Sequence, residues 1–261
     1  MDGLARPFRL CSVAGMTDRT ILLNGARLLA DLSGALLWPE RGWLVVADLH
    51  LEKGSGYAAR GTLLPPYDTG ATLSRLEEAV ARLRPARVVC LGDSFHDRTA
   101  AARVPAEDGR RLTRLTAALD WVWIAGNHDP LPPGDWGGTV REEIVEGPLT
   151  FRHEALAGAV AGEVSGHYHP KAAVLVRGRQ LSARCFASDG RRLILPAFGA
   201  YAGGLNVLDP ALAGLLGRDF RVWLLGREKV HAFPAARLSP GRPGPAALGP
   251  AALAARQASR R

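Results

Sequence analysis

Three short runs of the chain are apolar at almost every position: Trp43–Asp48 (WLVVAD), Arg87–Asp93 (RVVCLGD) and Asp120–Gly126 (DWVWIAG). Continuous rather than alternating apolarity marks strands buried on both faces. Between them, Asp68–Leu83 places Leu73, Leu76, Val80 and Leu83 at three- and four-residue spacing, and Glu107–Leu119 has a similar pattern, so both read as helices. Asp68 or Thr69 can cap the first, and Pro85 stops it. This β–α–β–α–β order predicts parallel strands joined by right-handed crossovers. The pattern then changes. Gly138–Val145, Leu149–Arg152, Ala159–Gly166, Ala172–Arg177, Gln180–Phe186 and Arg191–Pro196 are short strand candidates separated by turns, and Phe220–Leu225 and Glu228–Phe233 follow. Helical periodicity is scarce there, so a mixed or antiparallel sheet packed against the first is expected. From Arg237 the chain is rich in Pro, Gly and Ala with no aromatic or β-branched residue, and it reads as a flexible tail.

Composition adds constraints. Hydrophobic residues make up 47% of the 261 positions and charged residues 22%, which suits a globular protein and argues against global disorder. Three cysteines (Cys11, Cys90, Cys185) are too few for a disulfide scaffold and favour a reducing compartment; Cys90, in an apolar strand, reads as inert core. No apolar run is long enough to span a membrane, and the first residues lack a cleavable signal. Met16 offers a second start position, so residues 1–19 read as an extension, 20–235 as the domain and 236–261 as the tail. The net charge is +8, the usual hint of a polyanionic partner. Its location weakens that hint: eight basic residues and one acid lie beyond Phe220, leaving 25 basic against 24 acidic side chains before it.

The chemistry sits where the predicted strands end. Trp43–Asp48 runs into D-L-H (Asp48, His50), Arg87–Asp93 ends in G-D (Asp93), and Asp120–Gly126 ends in G-N-H-D (Asn127, His128, Asp129). His153 follows Leu149–Arg152, and G-H-Y-H (His167, His169) follows the next candidate strand. Ligand sites of open α/β sheets lie outside the carboxyl ends of strands, so these clusters can meet at one edge. Five of the seven histidines fall in them. Imidazole, carboxylate and amide oxygen without thiolate suit Mn²⁺, Fe²⁺, Co²⁺ or Zn²⁺, and the donors outnumber what one ion can use; two ions would use them. Lys53, Arg60 and Tyr67 lie just after the first block, where basic and aromatic side chains could line an entrance for a phosphate backbone and a stacked base. Lys171–Arg192 carries six basic residues and one acid, the best nucleic-acid patch of the body.

The ordered blocks D-x-H, G-D, G-N-H-D, a lone His and G-H-x-H resemble the calcineurin-like metallophosphoesterase superfamily. The resemblance implies an α/β (mixed α+β) four-layer αββα sandwich of two packed β-sheets. It implies that Asp48, His50 and His169 hold one ion, that Asn127, His153 and His167 hold the other, and that Asp93 bridges them. His128 would be the acid beside the scissile phosphate, oriented by Asp129, while a hydroxide bridging the ions attacks in line. One departure is the run Gly92-Asp93-Ser94-Phe95-His96-Asp97, where the superfamily often has G-D-x-x-D: the second carboxylate is displaced by one and His96 takes its place, a candidate to line the site. The longer blocks VADLHLEKG, RGTLLPPYDT, GDSFHD, FRH and LPAFGAYAGGLN are similar to the bacterial ligase-associated DNA damage response endonucleases of the PdeM type. That similarity implies a manganese-dependent endonuclease of DNA, single strands especially, working in the bacterial cytoplasm at the nucleoid beside a helicase and an ATP-dependent ligase, with a homo-oligomer open. The alternative is a phosphatase or pyrophosphatase of nucleotides or nucleotide sugars with the same centre. A non-catalytic scaffold would lack ligands, and none is missing.

Overall fold

The three apolar runs form β4 (Trp43–Val46), β5 (Arg87–Leu91) and β6 (Asp120–Ile124), adjacent and parallel as their order requires. The computed structural model describes residues 19–130, 136–158 and 160–240. Three antiparallel strands, β1 (Thr20–Leu23), β2 (Ala26–Ala30) and β3 (Leu36–Trp38), extend this sheet on one side, and β7 (Thr139–Arg141) joins β6 in parallel on the other. The sequence pattern did not reveal β1–β3. The single stretch expected at Gly138–Val145 divides: β7 belongs to the first sheet, and β8 (Glu143–Glu146) pairs with β9 (Leu149–Arg152) in the second.

The second sheet is mixed. Its path includes β10 (Glu163–Ser165), parallel to both β9 and β13 (Arg192–Ile194). The ten-residue β12 (Arg179–Ser188) pairs along its first half with β11 (Lys171–Val176) and along its second with β13 and β14 (Arg221–Leu225), while β15 (Val230–Pro234) closes the edge. Leu238–Ser239 forms β16 against β11, so strand pairing continues past the expected tail boundary at 235. The rest of that tail (241–261), Cys11 and Met16 lie outside the described residues.

Side-chain alternation builds the layers. In β4, Trp43 and Val45 face the second sheet, where they meet Phe151, Val164, Phe186 and Leu193 in a core between the sheets. Leu44 and Val46 face the other way, onto Leu73 and Leu76 of α2 (Asp68–Leu83) and Leu112 of α3 (Ala106–Ala118). Cys90 is buried in this helix-facing core, which pushes its thiol well up and leaves it inert. On the outer face of the second sheet, Val207, Leu212, Leu216 and Phe220 cover Ala172, Ile194 and Val222. The expected αββα sandwich is therefore present, with its fourth layer reduced to a four-residue helix, α4 (Pro210–Ala213), and its flanking loops.

Candidate metal centre

The turns after β4, β5, β6, β9 and β10 converge at one edge of the sandwich and form two compact donor groups. Ligand atoms of Asp48, His50 and His169 lie within 4.8 Å of one another, as do those of Asp93, His153 and His167. Asn127 Oδ1 completes the second group, 2.7 Å from His153 Nε2 and 3.0 Å from His167 Nδ1. The structure therefore brings together every residue expected to hold a metal.

Local backbone geometry explains how donors on short turns reach one point. Nine non-glycine residues among those described have positive φ, and five of them are Asp48, His50, Asp93, His167 and His169. Left-handed conformation is costly for such residues and persists where surrounding bonds impose it. The bonds are visible: Asp93 O accepts from His50 N at 2.9 Å, and Leu51 and Ser94 continue the stitching at 2.9 Å. Both carboxylate oxygens of Asp48 accept from His167 N, at 3.1 and 3.0 Å, which ties the first block to the last. Two glycines are required by close approach. A Cβ on Gly92 would run into the His153 ring, and one on Gly166 would sit 2.7 Å from Asp48 Oδ2 and 2.8 Å from the Cβ of Ala47.

The donors fit cations by their own hydrogen-bond logic. His153 Nδ1 lies 2.8 Å from Leu91 O, which can only accept, so the proton sits on Nδ1. With a cation bound, the neutral ring would turn its Nε2 lone pair toward the ion; without one, Nε2 faces Asn127 Oδ1, an acceptor, at 2.7 Å. His50 Nε2 and His169 Nε2 face each other at 3.2 Å, and His167 Nδ1 and His153 Nε2 do the same at 3.2 Å. Divalent ions at these two points would reconcile the contacts, and a donor set without thiolate suits oxygen- and nitrogen-seeking metals. The protein's own charges are also unevenly shared. Burial and the facing His169 push His50 down. Burial opposes the charged form of His153, yet the Asp93 hydrogen bond and the Asp48 charge push it up to about 9. Asp93 is held low despite its burial by His153, with a further contribution from His50, so it senses rings of both groups.

His128 stands beside the donors without joining either group. Its ring is 43% exposed, and Nε2 lies 3.9 Å from Asp93 Oδ2. Two bonds orient it: its N–H donates to Asp93 Oδ1 at 2.9 Å, and Nδ1 reaches His96 O at 2.9 Å. The orienting role expected of Asp129 is thereby corrected. The Asp129 carboxylate is buried and accepts from Phe95 N at 3.0 Å, so it pins the loop that carries Asp93. Burial pushes that carboxyl up to about 7, against the Phe95 bond, and the Asp93 charge adds to the rise.

The displaced motif also finds its explanation. Asp97 turns away from the centre and pairs with Arg103 at 2.7 Å, while the His96 ring stacks on His128 with centroids 5.7 Å apart. Tyr57, in α1 (Lys53–Ala58), also stacks on His96, with centroids 5.8 Å apart. Arg60 lies over Tyr57 and donates to His96 Nε2 at 3.0 Å. Burial, with the charges of Lys53, His128 and Arg60, pushes His96 down to about 4 and keeps it neutral. Arg60 and His96 thus belong to the wall of the site. Lys53 lies near it, half-buried, and burial lowers its pKa; Tyr67 projects outward, exposed, at the start of α2.

Sequence reasoning missed Tyr57, whose only signal was its place four residues after Lys53, and it misassigned the helix caps. Asp68 opens α2, but its carboxylate accepts from Gly54 N at 3.0 Å. Thr69 Oγ1 donates to Glu52 Oε1 at 2.8 Å and accepts from Glu52 N at 2.8 Å. Both candidates brace the turn that follows the first metal block. Two members of the basic patch expected over Lys171–Arg192 turn inward. Arg192 is buried in an ion pair with Glu163 at 2.6 Å, and Arg184 donates to Ala197 O at 2.6 Å. The glycine-rich stretch after Leu195 borders the centre as packed chain: Gly199 N donates to Asp48 O at 3.1 Å, and Tyr201 OH to Pro65 O at 2.9 Å.

A family model and a solved nuclease structure agree with this geometry. The family model for calcineurin-like phosphoesterases matches residues 43–179. The crystal structure of Pseudomonas putida nuclease MPE is similar at 34% sequence identity, covering 82% of this chain and 98% of that one, with a TM-score of 0.64. A phosphoesterase from E. coli, Yfce, is similar at 15% identity over 72% of this chain and 95% of that one, with a TM-score of 0.39. No curated protein sequence matches.

Proposed function

The chain belongs to the calcineurin-like phosphoesterase family, a family of metal-dependent hydrolases, and from that premise we propose that it is a DNA endonuclease with two divalent ions, Mn²⁺ foremost, that favours single strands. The observation that carries the reading is the pair of donor groups, Asp48–His50–His169 and Asp93–His153–His167, with His128 alongside. The likeness to a nuclease at 34% identity supports a nucleic acid as the substrate. Work beside a helicase and an ATP-dependent ligase in the bacterial cytoplasm belongs to the same proposal. So does a single domain over 20–235, to which β16 adds Leu238–Ser239.

When bound, the ions supply Lewis acidity that activates water and draws charge from phosphoryl oxygens. The chain's own residues do the rest. Asp93, grouped with His153 and His167, would hold an ion of the second group and, in this proposal, would share it with the first. His128 commits Nδ1 to His96 O, so a protonated Nε2 is the atom able to give a proton to the leaving oxygen. Stacking on His96, itself stacked with Tyr57, fixes the plane of that ring, and Asp129 holds the backbone of Phe95 behind Asp93. Lys53, Arg60 and Tyr67 stand on the side where a strand would approach, offering charge and an aromatic face.

Incubation of purified protein and Mn²⁺ with single-stranded DNA circles, alongside a nucleotide panel, tests the reading. Cleaved circles, with a rate falling steeply as salt rises because counterions are released, support it. Intact circles with hydrolysed nucleotide would replace it with the small-substrate activity.

A further inference from the structure

A second cavity lies away from the donor groups, and none of the proposed metal ligands lines it. It opens between α2, the turn after β2 and the turn joining β14 to β15, with a volume of about 840 Å³, within the range of small-molecule sites. Two guanidiniums meet there. Arg75 Nη1 donates to Phe198 O at 2.6 Å, and Arg184 Nη1 donates to Ala197 O at 2.6 Å and approaches Phe198 O at 3.5 Å. Among the described residues neither forms an ion pair. Burial lowers both; the charge of Glu78 partly offsets this for Arg75, whereas the charge of Arg75 adds to burial and brings Arg184 to about 10, which an anion bound beside it would offset.

The remaining charges leave room for that anion. Arg82 is engaged with Asp31, at 2.7 and 2.9 Å. Arg19 and Lys229 add two cations, while Glu78 and Glu228 are exposed at the margin. The other walls are apolar, from Ala30, Leu32, Ala79 and Val230. Guanidiniums and apolar walls in one cavity match a ligand with a polyphosphate and a flat, weakly polar ring.

We propose that this cavity binds a nucleoside diphosphate, its phosphates on Arg75 and Arg184 and its base against Leu32 and Val230. The site is separate from the metal centre and does not depend on the nuclease reading. Isothermal titration of the full chain with ADP, and separately with inorganic phosphate, in excess EDTA keeps metal-bound phosphate out of the measurement. Saturable ADP binding, tighter than that of phosphate, is expected. Arg75→Met and Arg184→Met should each weaken it about tenfold or more, and Lys229→Ala about two- to fivefold. Asp93→Asn should leave it unchanged. If Arg184→Met fails to fold, Arg75→Met and the exposed Lys229→Ala decide the matter. Absence of saturable binding, binding that survives all the cavity substitutions, or equal affinity for ADP and phosphate would overturn the assignment.

Discussion

Gly166→Ala adds one methyl group where the structure has no room. The new Cβ would lie 2.7 Å from Asp48 Oδ2 and 2.8 Å from Ala47 Cβ, against an ordinary contact of at least 3.4 Å. About 0.7 Å of relative movement is therefore needed, the difference between 3.4 and 2.7 Å. Neither neighbour can yield freely, since Asp48 and Ala47 are both 0% exposed, and the Asp48 carboxylate is held by His167 N. The displacement falls on Asp48 and on the turn carrying His167 and His169. A misplacement near 1 Å in a reacting constellation costs about 100-fold, so a loss of roughly 30- to 100-fold is expected, or about 2–3 kcal/mol of barrier. The assay is Mn²⁺-dependent hydrolysis of a chromogenic phosphodiester, with bound metal measured after dialysis and folding checked by circular dichroism. Gly203→Ala, whose Cβ meets nothing within 4 Å, is the control and should behave as the parent. A Gly166→Ala protein with parental turnover and metal content would refute the argument that this glycine sets the position of Asp48.

Three further outcomes follow from other parts of the structure. His128→Ala should keep its metal content and lose about 100-fold in turnover on a sensitive diester, because the ring joins neither donor group; metal lost in parallel with activity would assign His128 to coordination instead. Arg192→Met should destabilise the fold by about 3 kcal/mol in urea unfolding, since it leaves the buried carboxylate of Glu163 with only the more distant Arg152 and the Leu156 N–H, and adding Glu163→Gln should recover part of that loss; a change under about 1 kcal/mol would contradict the burial of the pair. Asp31 is held below the usual carboxylate range: burial opposes this, but hydrogen bonds from Arg82 and Ser33 outweigh it. Its contribution is therefore complete above the unfolded-state pKa near 3.9 and is lost as pH falls through the lower folded value. The stability gap between parent and Asp31→Asn, measured by denaturant unfolding, should be constant near neutrality and close below about pH 4; a gap that widened in acid would reverse the assigned sign.

Much of the centre was legible because its determinants are local. Strands buried on both faces require continuous apolar runs, and turns at their ends carry ligands one or two residues apart, so β4, β5, β6 and all seven expected metal donors could be read in chain order. One of the seven, Asn127, was read from its place in G-N-H-D. The antiparallel β1–β3 were harder, since their short stretches owe their conformation to pairing and to the core between the sheets.

What the sequence determined by itself was the donor set, its order and the parallel strands that end in it. Tertiary structure decided which polar groups face those donors. Asp129, expected to hold His128, holds Phe95; Asp68 and Thr69, expected as caps, brace the first metal turn; Tyr57 and Arg60 meet His96 across a turn. It also divided the Lys171–Arg192 charges, sending Arg192 to Glu163 and Arg184 to a cavity shared with Arg75. The physical reason is common to these cases. A backbone pattern is set by residues three or four positions apart, whereas a hydrogen bond or ion pair depends on which distant segments the packed sheets and helices bring within about 3 Å.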